Sequence, residues 1–168
     1  MNNDCGFTRE NGWFRYRACA IIIEEDCILF AKNEIDDYYY SIGGGVQIGE
    51  TAEDAVKREV YEETGVHYEV ERLVYVHENF FNGTGTLDGL NCHEIALYFL
   101  MKPRGTKELH SNSYTNGVKE YMHWLPIADL DSYKAYPNFF NGKLKNISDW
   151  IEHVVTHYGD EFGKNLNI

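Results

Sequence analysis

The 168-residue chain has little positive charge, few cysteines and no long apolar run. It carries 15 Lys and Arg against 27 Asp and Glu, so its formal net charge is −12. Proteins that bind a nucleic-acid backbone need a basic face, so DNA and RNA polymers are not expected partners. No apolar run approaches the roughly 18–20 residues of a membrane span, and the first ten residues lack the pattern of a signal peptide. We therefore expect a cytoplasmic protein without a membrane segment.

The four cysteines show no CxxC spacing, which argues against a zinc site and favours reduced, mostly buried thiols. The glycine cluster at 43–45 contains neither GxGxxG nor a following GK[ST], so it is not a dinucleotide fingerprint or a P-loop. The hydrophobic content of 43% is too high for a disordered chain and suits one domain with a single core. A protein this acidic can still bind a nucleotide when a divalent cation mediates the contact.

Apolar patterning predicts a mixed α/β fold. Tyr16–Ile23 and Cys27–Lys32 are expected to form a hairpin across Glu24-Glu25-Asp26. Thr51 is a candidate N-cap and Gly65 a candidate C-terminal glycine for a helix of about thirteen residues between them. A second, amphipathic helix is predicted from Ile147 to Tyr158, with a frayed tail after about residue 159. Further strands are expected at residues 38–42, 68–80, 93–101 and 118–124, giving a mixed sheet between helices.

The most unusual segment, from Gly43 to Val66, holds six acids against two bases. Glu59, Glu62 and Glu63 have i, i+3 and i+4 spacing, which places three carboxylates on one helix face. The plain interpretation is a solvated helix surface. The alternative is a site for a hard cation, since Mg²⁺ binds oxygen ligands and tolerates one or two carboxylates. Arg58 is expected to pair with Glu62 at i,i+4, which would leave the other two carboxylates free for metal.

The pattern Gly44-x5-Glu50-x7-Arg58-Glu59-Val60-x-Glu62-Glu63-x-Gly65-Val66 resembles the Nudix box of the Nudix hydrolases at every specified position. The strand order, the WLP triplet at 124–126 and the predicted last helix also resemble that family, over about residues 14–158. The resemblance implies a Nudix-type α/β/α sandwich, with residues 1–168 forming a single domain.

The resemblance also implies an activity, which is hydrolysis of the pyrophosphate bond in a nucleoside diphosphate linked to another moiety, such as ADP-ribose or a nucleotide sugar. Mg²⁺ or Mn²⁺ is the implied cofactor. The residues it implies are the metal ligands Glu59 and Glu63, Glu62 as a third ligand or a base, the Gly43 carbonyl as a ligand, Glu50 beside the ligands, and Arg58 to orient the carboxylates.

Residues outside the box are weaker candidates. Glu120 is our candidate for a general base or an extra ligand, with Glu94 and Glu78 as rivals that also suit ordinary surface acids. Arg15 and Arg17 alternate on the first strand and either bind a substrate phosphate or form structural ion pairs.

Aromatic residues and loops are candidates for substrate recognition. Phe80, Phe81 and the tyrosines at 38–40 either stack a base or belong to the core. The loops at 81–92 and 103–117 are expected to set substrate selectivity.

Two other function classes compete with this interpretation. One is a catalytically silent, nucleotide-sensing domain of the same fold, and the other is an acidic module whose helix contacts a basic partner. The expected partner is a small nucleotide-type substrate. Dimers are common in the family, so a second copy of the chain is a candidate partner as well.

Overall fold

The computed structural model describes residues 3–158, and within this range the chain forms two mixed six-stranded sheets. The strands are β1 (Gly6–Arg9), β2 (Gly12–Ile21), β3 (Ile23–Glu24), β4 (Cys27–Asn33), β5 (Tyr39–Ser41), β6 (Gly43–Gly45), β7 (Val70–Asn82), β8 (Asn91–Met101), β9 (Tyr114–Thr115), β10 (Val118–Pro126), β11 (Ala135–Tyr136) and β12 (Glu152–Tyr158).

The first sheet has the order β1-β2-β8-β7-β12, with β6 paired to β2, and the second has the order β11-β5-β4-β10-β9, with β3 paired to β4. The pairs β2–β8, β7–β12 and β5–β11 are parallel, and the other pairs are antiparallel. The glycines of β6 thus pair with β2 in the first sheet. Along the chain, β6 follows strand β5 and precedes the helix.

Helix α1 (Ala52–Thr64) begins and ends where the sequence predicts. Thr51 caps its N-terminus by accepting the Asp54 N–H at 3.1 Å, and Gly65 ends it in the left-handed conformation with φ 71°. Its buried residues Val56 and Val60 belong to the core beside β2 and β6, so the acidic face of the helix lies next to the first sheet.

Two short helical segments, the 3₁₀ stretch Ile127–Ser132 and helix α2 (Phe140–Lys143), contribute Leu130 and Phe140 to a second core cluster.

The predicted hairpin of Tyr16–Ile23 with Cys27–Lys32 is wrong for most of its length. Only Ile23 and Glu24 pair with β4, around the turn at Glu25 and Asp26. The strand β2 instead pairs with β1, β6 and β8, so the chain passes from one sheet to the other near Ile22. The central parts of both runs, residues 18–22 and 28–31, are continuously apolar and buried, and that pattern does not specify the partner strand.

The predicted C-terminal helix at Ile147–Tyr158 is also wrong. Residues 152–158 form β12, which extends the first sheet in parallel with β7. Val154 and Thr156 face inward while Val155 faces outward, which is the period-two pattern of a strand. These β-branched residues suit a pleated sheet better than a helix. The predicted tail after about residue 159 lies outside the described residues.

All four cysteines are free thiols, as the sequence predicts. Only Cys19 and Cys92 are buried, so the expectation that most of the thiols are buried does not hold for Cys5 and Cys27. No helix of the described part of the chain is long and apolar enough to cross a membrane.

Candidate active site

The glycine loop lies so close to its neighbours that side chains would not fit. A Cβ on Gly43, whose φ is +136°, would come within 2.3 Å of the Ala18 carbonyl oxygen on β2. A Cβ on Gly44 would lie 2.4 Å from the Glu59 carboxylate. The two glycines therefore let the loop lie against the sheet on one side and against an acid of α1 on the other.

Arg58 joins this loop to the helix. Its guanidinium donates to both oxygens of Glu50, at 2.8 and 2.9 Å, and to the Gly45 carbonyl at 3.1 Å. It also donates to Glu59 at 2.5 Å, whereas the expected i,i+4 partner, Glu62, is farther away at 3.5 Å. The sequence-based expectation that Arg58 holds mainly Glu62 is therefore corrected, because Glu50 and Glu59 take its shortest hydrogen bonds.

The carboxylate of Glu63 lies at the floor of the site. Its Oε1 accepts the Gly43 N–H at 2.8 Å, and protein atoms surround the group although part of the residue faces the cleft. Burial, together with the nearby charges of Glu120 and Glu59, raises the pKa of Glu63 to about 8, against the opposing effects of the Gly43 hydrogen bond and Arg17. At neutral pH this carboxyl therefore retains much of its proton.

The other two acids of the α1 face differ in exposure. The side chain of Glu59 is 16% exposed, and burial together with the Glu62 charge raises its pKa, although Arg58 opposes this. Glu62 is 57% exposed at the rim. The exposure of the three carboxylates thus decreases from Glu62 at the rim, through Glu59, to Glu63 at the floor of the site.

Glu120 reaches the same site from β10 in the second sheet. It is only 4% exposed, and its carboxylate accepts hydrogen bonds from Tyr40 at 2.6 Å, Ser113 at 2.5 Å and Thr115 at 2.7 Å. Three hydroxyl donors therefore stabilise this charge and fix its orientation. The sequence predicts Glu120 as a candidate but gives no signal for the hydroxyl residues that hold it.

The rival acids occupy other environments. Glu94 is 4% exposed and binds the Arg15 guanidinium at 2.9 and 2.5 Å. Burial alone would raise the pKa of Glu94, but Arg15 and Arg17 lower it below its ordinary value. Glu78 lies on the opposite face of the sheet, where it contacts His153 at 2.8 Å.

The two candidate phosphate-binding arginines both line the cleft, but their strongest contacts are within the protein. Arg15 forms the ion pair with Glu94, and Arg17 donates to the carbonyls of Ser41 at 3.0 Å and Gly43 at 2.9 Å. Arg17 is therefore a partly buried cation beneath the glycine loop. The Gly43 carbonyl keeps one lone pair for another ligand, since a carbonyl oxygen accepts two hydrogen bonds.

These groups converge on a cleft of about 770 Å³ between the glycine loop, α1, β2 and the β9–β10 hairpin. Asp4 also lines it, from a segment that bridges to Gln47, and the sequence gives no indication of this acid. The acids around the cleft are Asp4, Asp36, Glu59, Glu62, Glu63, Glu94 and Glu120, against the cations Arg15 and Arg17.

The donor set suits a hard divalent cation, because it consists of carboxylate and carbonyl oxygens with more negative than positive charge. Among residues 3–158, no three His, Cys, Asp or Glu side chains converge as a preassembled metal cluster. Glu59 and Glu63 instead bind Arg58 and the Gly43 N–H in this structure. A cation entering here would favour the charged forms of both acids, against the burial and like-charge repulsion that raise their pKa values.

The aromatic candidates separate into two groups. Tyr38, Tyr40 and Phe81 line the cleft. Phe80 is stacked between His93 and His157 on the opposite face of the sheet, with ring centroids 4.3 and 4.7 Å apart.

Comparison with known proteins assigns a family to this architecture. The family profile described as NUDIX domain matches residues 13–149. A MutT-like protein of Streptomyces ambofaciens is 35% identical over 97 residues, which cover 57% of this chain and 56% of that protein. The chain thus spans little more than half the length of the curated relative that it matches.

Solved structures share the fold at low sequence identity. A MutT protein of Bacillus halodurans is 18% identical, with a TM-score of 0.65 over 88% of this chain and 92% of that one. An ADP-ribose pyrophosphatase of Streptococcus suis is also 18% identical, with a TM-score of 0.55 over 84% of this chain and 98% of its own. These similarities confirm the predicted α/β/α sandwich, in which α2 and the 3₁₀ stretch replace the predicted C-terminal helix.

Proposed function

The chain belongs to the Nudix hydrolase family, and from this premise we propose that it hydrolyses the pyrophosphate bond of a nucleoside diphosphate linked to another moiety. The observation that carries the proposal is that Glu59, Glu62, Glu63 and Glu120 line one cleft beside the glycine loop. So many carboxylates cannot accept a polyanionic substrate unless cations offset their charge. The products would be a mononucleotide and a phosphorylated fragment.

Mg²⁺ or Mn²⁺ is the cofactor that this donor set fits. Glu59 and Glu63 would be its main ligands, with Glu62 and the Gly43 carbonyl as additional ones. When bound, the cation neutralises and orients the diphosphate and makes a water a better nucleophile.

The protein residues would divide the remaining tasks. Arg58 would keep Glu50, Glu59 and the glycine loop in one arrangement through its hydrogen bonds. Glu120, held by three hydroxyl groups, would accept the proton of the attacking water. Arg15 would contribute its charge at the cleft wall.

A shared fold does not specify which moiety is linked to the nucleoside diphosphate in the substrate. A structural neighbour named ADP-ribose pyrophosphatase makes ADP-ribose a reasonable first substrate, together with nucleotide sugars. The single-domain organisation over residues 1–168, the cytoplasmic location and a homodimer are parts of the same proposal. Cell fractionation and gel filtration coupled to light scattering would test the last two.

Turnover can be measured as phosphate released in a phosphatase-coupled assay. The panel comprises ADP-ribose, nucleotide sugars, dinucleoside polyphosphates and nucleoside triphosphates, each with Mg²⁺ and after dialysis against chelator. We expect hydrolysis of at least one substrate, its loss on chelation and its recovery with Mg²⁺ or Mn²⁺. Binding without turnover across the panel would favour the silent sensing domain. Full activity in the chelated protein would exclude the metal role.

A further inference from the structure

The chain between β8 and β9 is anchored to the protein although it is irregular. Residues 102–113, all within the described part of the chain, form neither helix nor strand. The buried Glu24 carboxylate accepts the backbone N–H groups of Arg104 at 2.5 Å and Gly105 at 2.9 Å, which fixes where this segment begins. Its last part continues into β9, and we call residues 110–115 the brace.

One end of the brace is attached to the last turn of α1. His110 donates its N–H to the Thr64 carbonyl at 2.9 Å, and the Ser111 hydroxyl donates to the Glu63 carbonyl at 2.5 Å. Gly65 permits this close approach, because a Cβ there would lie 2.4 Å from the His110 carbonyl oxygen. The brace is therefore bonded to the turn of the helix that carries Glu63.

The other end of the brace holds Glu120. The Ser113 hydroxyl donates to Glu120 Oε2 at 2.5 Å, and the Thr115 hydroxyl donates to Oε1 at 2.7 Å. The Ser113 carbonyl also accepts the Glu120 N–H at 3.0 Å. Six consecutive residues thus connect α1, which packs on the first sheet, with a carboxylate of β10 in the second sheet.

The contacts of Glu120 also limit where it can accept a proton. A carboxylate offers about four lone-pair positions, and each hydroxyl has one proton to donate. Tyr40 and Thr115 occupy both positions of Oε1, and Ser113 occupies one position of Oε2. Among the contacts of the described residues, one position on Oε2 therefore remains open. Its direction is set by the donors that hold the carboxylate.

We propose that the brace sets the position of Glu120 relative to Glu63, with Ser111, Ser113 and Thr115 as positioning residues. The inference rests on the proposed function, in which Glu63 binds the cation and Glu120 accepts the proton of the attacking water. A small displacement between a base and its bound reactant lowers the rate steeply, so a fixed separation of the two acids favours turnover. Part of the loop at 103–117 thereby has a role other than substrate selectivity.

The Thr115 hydroxyl is the contact that can be removed with the least change of shape. Thr115→Val should lower kcat about tenfold and change KM less than about twofold, because a displaced base slows the chemical step more than it weakens substrate binding. Thr115→Ser keeps the hydroxyl and should retain most of the wild-type kcat. Steady-state kinetics in the phosphatase-coupled assay measures both variants.

The matched control is Thr106→Val, which makes the same substitution on the same segment. The Thr106 hydroxyl accepts the Glu108 N–H at 3.1 Å in an exposed hydrogen bond, and the residue does not line the cleft. This variant should keep the wild-type kcat. Equal kcat in Thr115→Val and wild type, or an equal loss in the control, would overturn the proposal.

A double-mutant cycle separates positioning from a general structural role. In the wild-type background Ser111→Ala should lower kcat about threefold or more, and Ser111→Thr, which keeps the hydroxyl, should not. Glu120→Gln cannot accept the proton, so Thr115→Val and Ser111→Ala should have little further effect on kcat in that background. A purely structural role would lower kcat by the same factor in both backgrounds, and that result would refute positioning through Glu120.

Thermal unfolding tests the contact without turnover. Thr115→Val should lower Tm by about 3 °C or more, because a buried carboxylate loses one of its donors. In Glu120→Ala, which lacks the carboxylate, the same change should lower Tm little. Equal losses in the two backgrounds would contradict the contact.

Nuclear magnetic resonance of the unaltered protein covers the case in which a variant does not fold. The hydroxyl protons of Ser113 and Thr115 should exchange slowly with water, since both are donated to a buried carboxylate. Rapid exchange of both protons would overturn the proposal.

The inference and the proposed function fail separately. Coupling of Thr115 with Glu120 in Tm, in a protein that hydrolyses no substrate of the panel, would support the brace and remove the proposed activity. Turnover that is unchanged in Thr115→Val would support the activity and overturn the brace as a positioning element.

Discussion

Arg58 and Glu50 form a bidentate ion pair across eight residues, with N–O distances of 2.8 and 2.9 Å. Glu50 also accepts the Gln47 N–H at 3.0 Å, so the pair fixes the turn that leads from the glycine loop into α1. A lysine could keep the charge at position 58 but not the planar, two-pronged contact.

Arg58→Lys should therefore lower kcat/KM about 10- to 100-fold, because the loop and Glu59 lose their common partner. The metal concentration for half-maximal activity should rise. Steady-state kinetics over a Mg²⁺ series measures both effects. Lys57→Arg is the matched control, since Lys57 forms only an exposed pair with Glu53. Unchanged kinetics in Arg58→Lys would show that the bidentate geometry is unimportant.

The raised pKa of Glu63 predicts how the metal-free protein responds to pH. The folded protein binds this proton up to about pH 8, whereas the unfolded chain releases it near the ordinary value of 4.5. Stability from this group is therefore full below about pH 4.5 and is lost as the pH rises towards 8, by at most about 1.4 kcal/mol per pH unit.

Thermal denaturation in chelator at pH 5 to 8.5 tests this dependence. Comparison with Glu63→Gln cancels the contributions of other titrating groups, including His77. The wild type should lose stability relative to the variant as the pH rises. Parallel pH profiles for the two proteins would mean that the pKa of Glu63 is not raised by folding.

Glu120 is predicted to be the general base. Glu120→Gln should lower kcat at least about 10²-fold with little change in metal affinity. Glu78→Gln is the control, because Glu78 is an acid of β7 on the face of the sheet away from the cleft. A loss of less than threefold in the Glu120 variant would reject the role, and Glu94 would be tested next.

The sequence predicted α1 well because its determinants are local. Thr51 and Gly65 fix the ends, and the i, i+3 and i+4 spacing of Glu59, Glu62 and Glu63 fixes their common face. The glycine loop was also recognisable, since it belongs to the same continuous motif.

Long-range pairings were not recognisable. The spacing of Ile151, Val154 and Val155 fits one side of a helix, yet pairing with β7 makes the segment a strand. The Arg15–Glu94 ion pair joins residues 79 positions apart, and their approach depends on the parallel register of β2 with β8. Periodicity describes which residues are buried but does not specify which strand covers them.

Glu59 tests most directly whether the acids of α1 form a divalent-cation site. Burial and the Glu62 charge raise the pKa of Glu59, so its charge is unfavourable in the metal-free protein. Glu59→Gln should therefore be as stable as the wild type in chelator, or slightly more stable. Binding at 100-fold excess over Kd stabilises a protein by about 2.7 kcal/mol, and the variant should lose most of that increment.

The decisive measurement is the Mg²⁺-induced shift in Tm for wild type, Glu59→Gln and the control Glu53→Gln. Glu53 is on the same helix, 54% exposed and paired with Lys57 outside the cleft. We predict a clear Mg²⁺ shift in the wild type and the control, and little shift and almost no turnover in Glu59→Gln. Equal shifts in all three proteins, with turnover preserved, would contradict a metal site at Glu59.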